Sequence, residues 1–147
     1  MEFLIDTNIL SELRKQERCN SGVQQWYATV DESQIYLSVI TLGEIRRGVE
    51  LLRRRDTVAA ENLEYWLSTL RQALNKKLLP ITPAIVDIWG RIGIPDAIPT
   101  ADGLLAATAV AHNLILVTRN VRDMERTGAK ILNPFTDDTD VNGNNPI

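Results

Sequence analysis

Short apolar runs alternate along this chain with longer stretches whose apolar residues recur every three or four positions. That alternation constrains the fold more than any other feature of the sequence. Phe3-Leu4-Ile5, Ile35-Tyr36-Leu37 and Leu114-Ile115-Leu116-Val117 carry no charge, as strands buried on both faces require. Strands are expected at 2–5, 35–37, 79–81, 114–117 and 130–132. Helices are expected at 7–14, 23–30, 39–54, 58–78, 83–92 and 101–111, with a loop or short helix over 120–126. The clearest amphipathic pattern is Leu63, Trp66, Leu67, Leu70, Leu74 and Leu78, one stripe of a single helix. The 101–111 helix has no charge after Asp102, so it is expected to lie centrally. Strand–helix alternation specifies an α/β fold, a parallel sheet covered on both faces.

The 147 residues contain no internal repeat or linker, and one domain over 1–135 is expected. Residues 136–147, polar and acidic, are expected to form a flexible tail. Cys19 is the only cysteine and His112 the only histidine. A Cys/His zinc cluster is therefore excluded, and a Ser-His-Asp triad would need His112, which reads as a helix-ending surface residue. No Gly-rich phosphate loop occurs. There is no run of 18 uncharged apolar residues and no basic leader; with a lone cysteine, these predict a cytoplasmic protein without a membrane span. A net charge of −3 argues against binding nucleic acid through bulk charge, but Arg46, Arg47, Arg53, Arg54 and Arg55 form a local basic candidate.

Carboxylates remain as the chemically useful groups. In an open parallel sheet, ligands bind beyond the carboxyl ends of the strands. Asp6 follows the first strand, Glu44 lies about a turn into the helix after Ile35–Leu37, Asp102 opens the apolar helix, and Asp123 follows the Leu114–Val117 strand. Each has an ordinary reading too. Asp6 suits an N-cap, Asp102 a first-turn carboxylate beside a Thr100 cap, Glu44 a partner for Arg47, and Asp123 an exposed loop acid. Gly43 and Gly48 bracket Glu44, each costing about 1 kcal/mol against Ala in a helix, and leave space beside that carboxylate. Thr118 and Asn120 end the neighbouring strand. Four converging acids would repel one another unless a cation neutralised them. Oxygen ligands without thiolate or imidazole suit Mg²⁺ or Mn²⁺, which can activate water and stabilise a phosphoryl oxygen. Phosphodiester hydrolysis is the reaction such a set would serve.

The segments FLIDTNILSELR, YLSVITLGEIRRGVE, PTADGLLAATAVAHNLILVTRNVRDM and ILNPF together resemble the PIN-domain ribonucleases. They are most similar to the VapC toxins of type II toxin–antitoxin modules, and within those to the FitB-like branch. The similarity runs from Met1 to about Phe135. It implies a three-layer α/β/α PIN domain with a central, mostly parallel sheet. Asp6, Glu44, Asp102 and Asp123 match the family's acidic quartet, which holds Mg²⁺ or Mn²⁺ for endonucleolytic RNA cleavage, and Thr7, Thr118 and Asn120 match its supporting polar positions. By their charge, Arg46, Arg47 and Arg53–Arg55 are candidates to steer an RNA backbone, with a solvated helix face or an antitoxin contact as the alternative readings. The resemblance also implies a homodimer, possibly in a larger assembly, and an antitoxin whose DNA-binding N-terminal half carries the complex to its operator. Met124 stands where the family commonly has an aromatic residue. Gly103 replaces a more usual Ala and is expected to loosen the first helical turn slightly.

Two rival classes make different demands. A HAD-like phosphatase would need a second Asp two positions after the first, where Asn8 stands. A non-catalytic binding or regulatory module would use the acids only as helix caps.

Overall fold

The structure, a computed structural model, describes residues 1–137. Five strands, β1 (Phe3–Ile5), β2 (Ile35–Ser38), β3 (Leu78–Leu79), β4 (Ile115–Val117) and β5 (Lys130–Leu132), form one sheet in the order β3-β2-β1-β4-β5. Every pairing is parallel. The helices are α1 (Thr7–Leu13), α2 (Ser21–Thr29), α3 (Val39–Arg53), α4 (Thr57–Ala73), α5 (Pro83–Arg91), α6 (Thr100–His112) and the short α7 (Val121–Met124).

Alternation along β1 divides the core in two. Phe3 and Ile5 point to one face, where they join Ile9, Leu10, Val23, Ile45 and Leu67 from α1 to α4. Leu4 points to the other, where it meets Leu105, Ala106, Ala109 and Met124 from α6 and α7. The three layers expected from the sequence follow directly, because successive strand side chains face opposite ways. Met124 is fully buried, so a flexible thioether fills the aromatic's place. Within α6, Ala106, Ala107 and Thr108 are fully buried and Leu105 and Ala109 nearly so, as its uncharged sequence predicts.

Several boundaries differ from the sequence expectation, among them the start of α2 at Ser21 rather than 23 and β3 at Leu78–Leu79 rather than 79–81. The period of Leu70, Leu74 and Leu78 continues the long helix to 78, but α4 stops at Ala73. Leu78 and Leu79 instead pair with Leu37 and Ser38 of β2, completing the sheet edge, and Pro80 ends that strand because it has no N–H to offer. Thr100 was expected to cap α6 but is its first helical residue. Pro99 is the N-cap, and no side chain caps the helix there. Residues 138–147 of the expected tail lie outside the described residues. Thr136 is within them, and its N–H donates to Asn20 Oδ1 at 3.1 Å.

Candidate functional site

Strand order reverses direction at β1: the chain moves outward through β2 and β3, then returns to β4 on the other side. The carboxyl ends of β1 and β4 therefore flank the crevice where a doubly wound sheet binds ligands. Asp6 occupies the position immediately after β1, and its N–H donates to Val117 O at 2.9 Å. Thr118 occupies the same position after β4. The sequence thus delivers a carboxylate and a hydroxyl to the same crevice.

Asp6 is only 6% exposed, and three donors hold it. Thr118 Oγ1 donates at 2.7 Å and Asn8 Nδ2 at 3.3 Å to Oδ2, while the Thr7 N–H donates at 2.7 Å to Oδ1. The last bond makes Asp6 the N-cap of α1, so the capping and site readings are both true. Thr118, itself fully buried, also accepts from the Asn120 N–H at 3.0 Å and from Asn8 Nδ2 at 3.4 Å. Its single proton goes to Asp6, and both lone pairs are engaged. Thr7 Oγ1 donates to Glu44 Oε1 at 3.0 Å, and Asn120 Nδ2 to Asp102 Oδ2 at 3.3 Å. All three supporting residues expected from the sequence therefore touch an acid or its partner. Asn8 was not foreseen in this role. It also accepts from the Arg119 N–H at 3.2 Å, tying α1 to the β4 loop, and its place in the Asp-Thr-Asn triplet was the available signal.

The acids influence one another. Burial raises the pKa of Asp6, although its three hydrogen bonds oppose the shift. Glu44 is raised by burial and then by the charges of Asp6 and Asp102, with Arg47 and the Thr7 bond opposing. Asp102 is raised by burial and by Asp6 and Asp123. Asp123 stands at the rim, with Arg126 3.9 Å away. Among the described residues, however, no three acids are close enough to enclose an ion. Glu44 feels the charges of Asp6 and Asp102, and Asp102 those of Asp6 and Asp123, so the acids form an open group and not a closed cage. It fits a hard, hydrated cation, since Mg²⁺ keeps several waters and takes one or two direct carboxylates, and oxygen-only donors exclude a soft metal.

The arginines separate into two groups. Arg46 reaches Glu64 at 2.8 Å and Arg53 reaches it at 2.6 Å, and both also contact Glu50. These pairs bind α3 to α4. Arg54 and Arg55 are exposed beyond the end of α3. Arg47 acts on Glu44. Gly103 does not loosen α6: a Cβ there would lie 2.9 Å from Trp89 Cδ1 and 3.0 Å from Nε1, so glycine admits the indole against the turn that carries Asp102.

Comparison with known proteins identifies the family and the fold. The PIN-domain family model matches residues 3–130. The chain is 33% identical to toxin FitB of Neisseria gonorrhoeae over 143 residues, 92% of this chain and 99% of that protein. It is 32% identical to VapC ribonuclease Y4jK of Sinorhizobium fredii over 140 residues, 90% of this chain and 97% of the relative. The crystal structure of FitAcB from Neisseria gonorrhoeae superposes with a TM-score of 0.81 at 29% identity, covering 90% of this chain and 97% of that one. This chain belongs to the PIN-domain family, among its VapC and FitB ribonuclease toxins.

Proposed function

We propose that this protein is the toxin of a type II toxin–antitoxin module, an endoribonuclease that hydrolyses RNA phosphodiester bonds in the cytoplasm with a divalent cation, Mg²⁺ or Mn²⁺. The observation that carries the reading is the buried Asp6 at the strand-order reversal, electrostatically coupled to Glu44 and Asp102, with Asp102 coupled in turn to Asp123. A hard cation at such a set supplies an acidified water and neutralises charge on the phosphoryl oxygens.

The chain's own residues prepare that chemistry. Thr118, Asn8 and the Thr7 N–H fix the Asp6 carboxylate, so ligand oxygens need no reorganisation. Asn120 orients Asp102 and Thr7 orients Glu44. Asp123 stands at the more open rim, with Arg126 beside it.

The partner would be an antitoxin that covers the acids. A similar structure, at 28% identity, is FitAB bound to an IR36 DNA fragment. By that likeness this chain would pair with an antitoxin and reach operator DNA only through it, and we propose that it does so as a homodimer.

The test is to incubate antitoxin-free protein with RNA in Mg²⁺, in Mn²⁺, in EDTA, and as Asp6→Asn. Cleavage is expected only for the unsubstituted chain with metal. Cleavage that persists in EDTA and in Asp6→Asn would overturn the metal mechanism.

A further inference from the structure

Gly43 and Gly48 lie inside α3, where glycine weakens a helix relative to alanine. Two structural reasons usually retain such glycines, and neither applies here. Neither residue has a positive φ, and a Cβ built on either meets nothing within 4 Å. The space they leave is instead part of a cleft between α3 and the start of α6, about 460 Å³ in volume and walled by Ile40, Glu44, Arg47, Leu51 and Ala101. That is within the roughly 300–1,000 Å³ range of small-molecule sites.

The cleft borders the acids through Glu44 and through the residue before Asp102. Glu44 lines it directly, and Ala101 precedes Asp102. Arg47 provides its positive charge. Arg46 and Arg53 are neutralised by Glu50 and Glu64, whereas Arg47 makes no ion pair at salt-bridge distance among the described residues. Leu51, 60% exposed, adds an apolar wall. One cation, apolar side walls and open glycine backbone beside a phosphodiesterase centre are complementary to a nucleotide: a phosphate for the guanidinium, and a sugar or base edge for the rest.

Resting on the ribonuclease reading above, we infer that this cleft seats one nucleotide of the RNA next to the scissile phosphate, with Arg47 on that nucleotide's phosphate. Arg47 is then the substrate-contacting member of the arginine cluster, and Gly43 and Gly48 are kept for the space they leave to the substrate.

The experiment uses the full chain and a short single-stranded RNA that it cleaves. Arg47→Gln is expected to raise KM about tenfold and to reduce the slope of log affinity against log salt by roughly 0.7, one single-strand phosphate contact. Arg46→Gln should leave both within about twofold. Gly48→Leu should lower kcat/KM at least tenfold, and Gly48→Ala, which clashes with nothing, should retain the fold and melt at or above the parent's temperature. Equal effects at Arg46 and Arg47, or full activity in both Arg47→Gln and Gly48→Leu, would overturn the inference. RNA cleavage that is unchanged while antitoxin inhibition is lost would assign the cleft to the antitoxin and overturn it as well. If the unsubstituted chain cleaves no RNA with metal, the ribonuclease reading itself fails, a result separable from these.

Discussion

Every hydrogen-bonding valence of the Thr118 hydroxyl is directed at the site, and that makes a single methyl-for-hydroxyl exchange informative. Thr118→Val keeps the shape but leaves the buried Asp6 carboxylate short of a donor and the Asn120 N–H without an acceptor. A loss of about 1–3 kcal/mol is expected, read by urea denaturation. Because the Thr118 bond lowers the Asp6 pKa, the acid limb of the pH–activity profile should also move to higher pH. The other acids give a second expectation whose sign follows from linkage. Asp6, Glu44 and Asp102 have raised pKa values in the folded state, so the folded chain holds those protons more tightly than the unfolded chain does. The stability they contribute is present at low pH and is lost as pH rises through the raised values. At neutral pH in EDTA, the ionised cluster therefore weakens the fold. Asp102→Asn should abolish RNA cleavage yet raise Tm by on the order of 1–3 °C. The gain should vanish as pH falls toward 3.8, the ordinary aspartate value. A lower Tm for Asp102→Asn at pH 7 would contradict this account of the repulsion.

Between elements, the contact of Trp89 with Gly103 holds α5 against the first turn of α6. Gly103→Ala would place a methyl within 2.9 Å of a rigid ring, and overpacking of this kind costs about 1–3 kcal/mol. It should also reduce cleavage, because Asp102 is on the displaced turn. Trp89→Leu in the Gly103→Ala background should restore much of both, measured as a double-mutant cycle. Failure of that rescue would separate the glycine from the indole. This contact marks where sequence reading stops. The β1–Asp6 junction, the helical stripes and the four acids were legible because each depends on local periodicity or on a strand's end. The pairing of Arg46 and Arg53 with Glu64 was not, since it depends on how α4 folds back on α3, and surface charges carry no periodic signature of their partner. The end of α4 was misread for a related reason: Leu74 and Leu78 satisfy a helical period, and only the neighbouring edge of β2 makes a strand preferable. Asn8 escaped because two of its partners, Thr118 and Arg119, follow β4, more than a hundred residues later.

At the scale of the whole molecule, the segment after β5 is fastened to α2. Asn20 caps α2 through Gly22 and Val23 N–H groups, accepts from the Thr136 N–H, and donates Nδ2 to Thr136 O at 2.8 Å. Its own N–H donates to the buried Glu12 carboxylate at 2.7 Å. Gly22 is packed so closely that a Cβ would lie on the Pro134 carbonyl. Gly22→Ala is therefore expected to release residues 134–136, seen as faster amide exchange at Phe135 and Thr136 with β1 and β4 still protected. Unchanged exchange there would show that the segment adjusts without detaching. The order of strands across the sheet has a further consequence, for the cell that makes this protein. Asp6 is among the first residues to leave the ribosome, but its neighbour β4, and after it Thr118, Asn120 and Asp123, is synthesised late. A half-made chain thus has its central carboxylate and lacks the companions that would arm it. A fragment ending at Asn113 should be harmless to growth even when overproduced, where the whole chain arrests it. Topology alone delays the weapon until translation is nearly complete, which gives a cell that must translate the toxin a margin of safety before any antitoxin is bound.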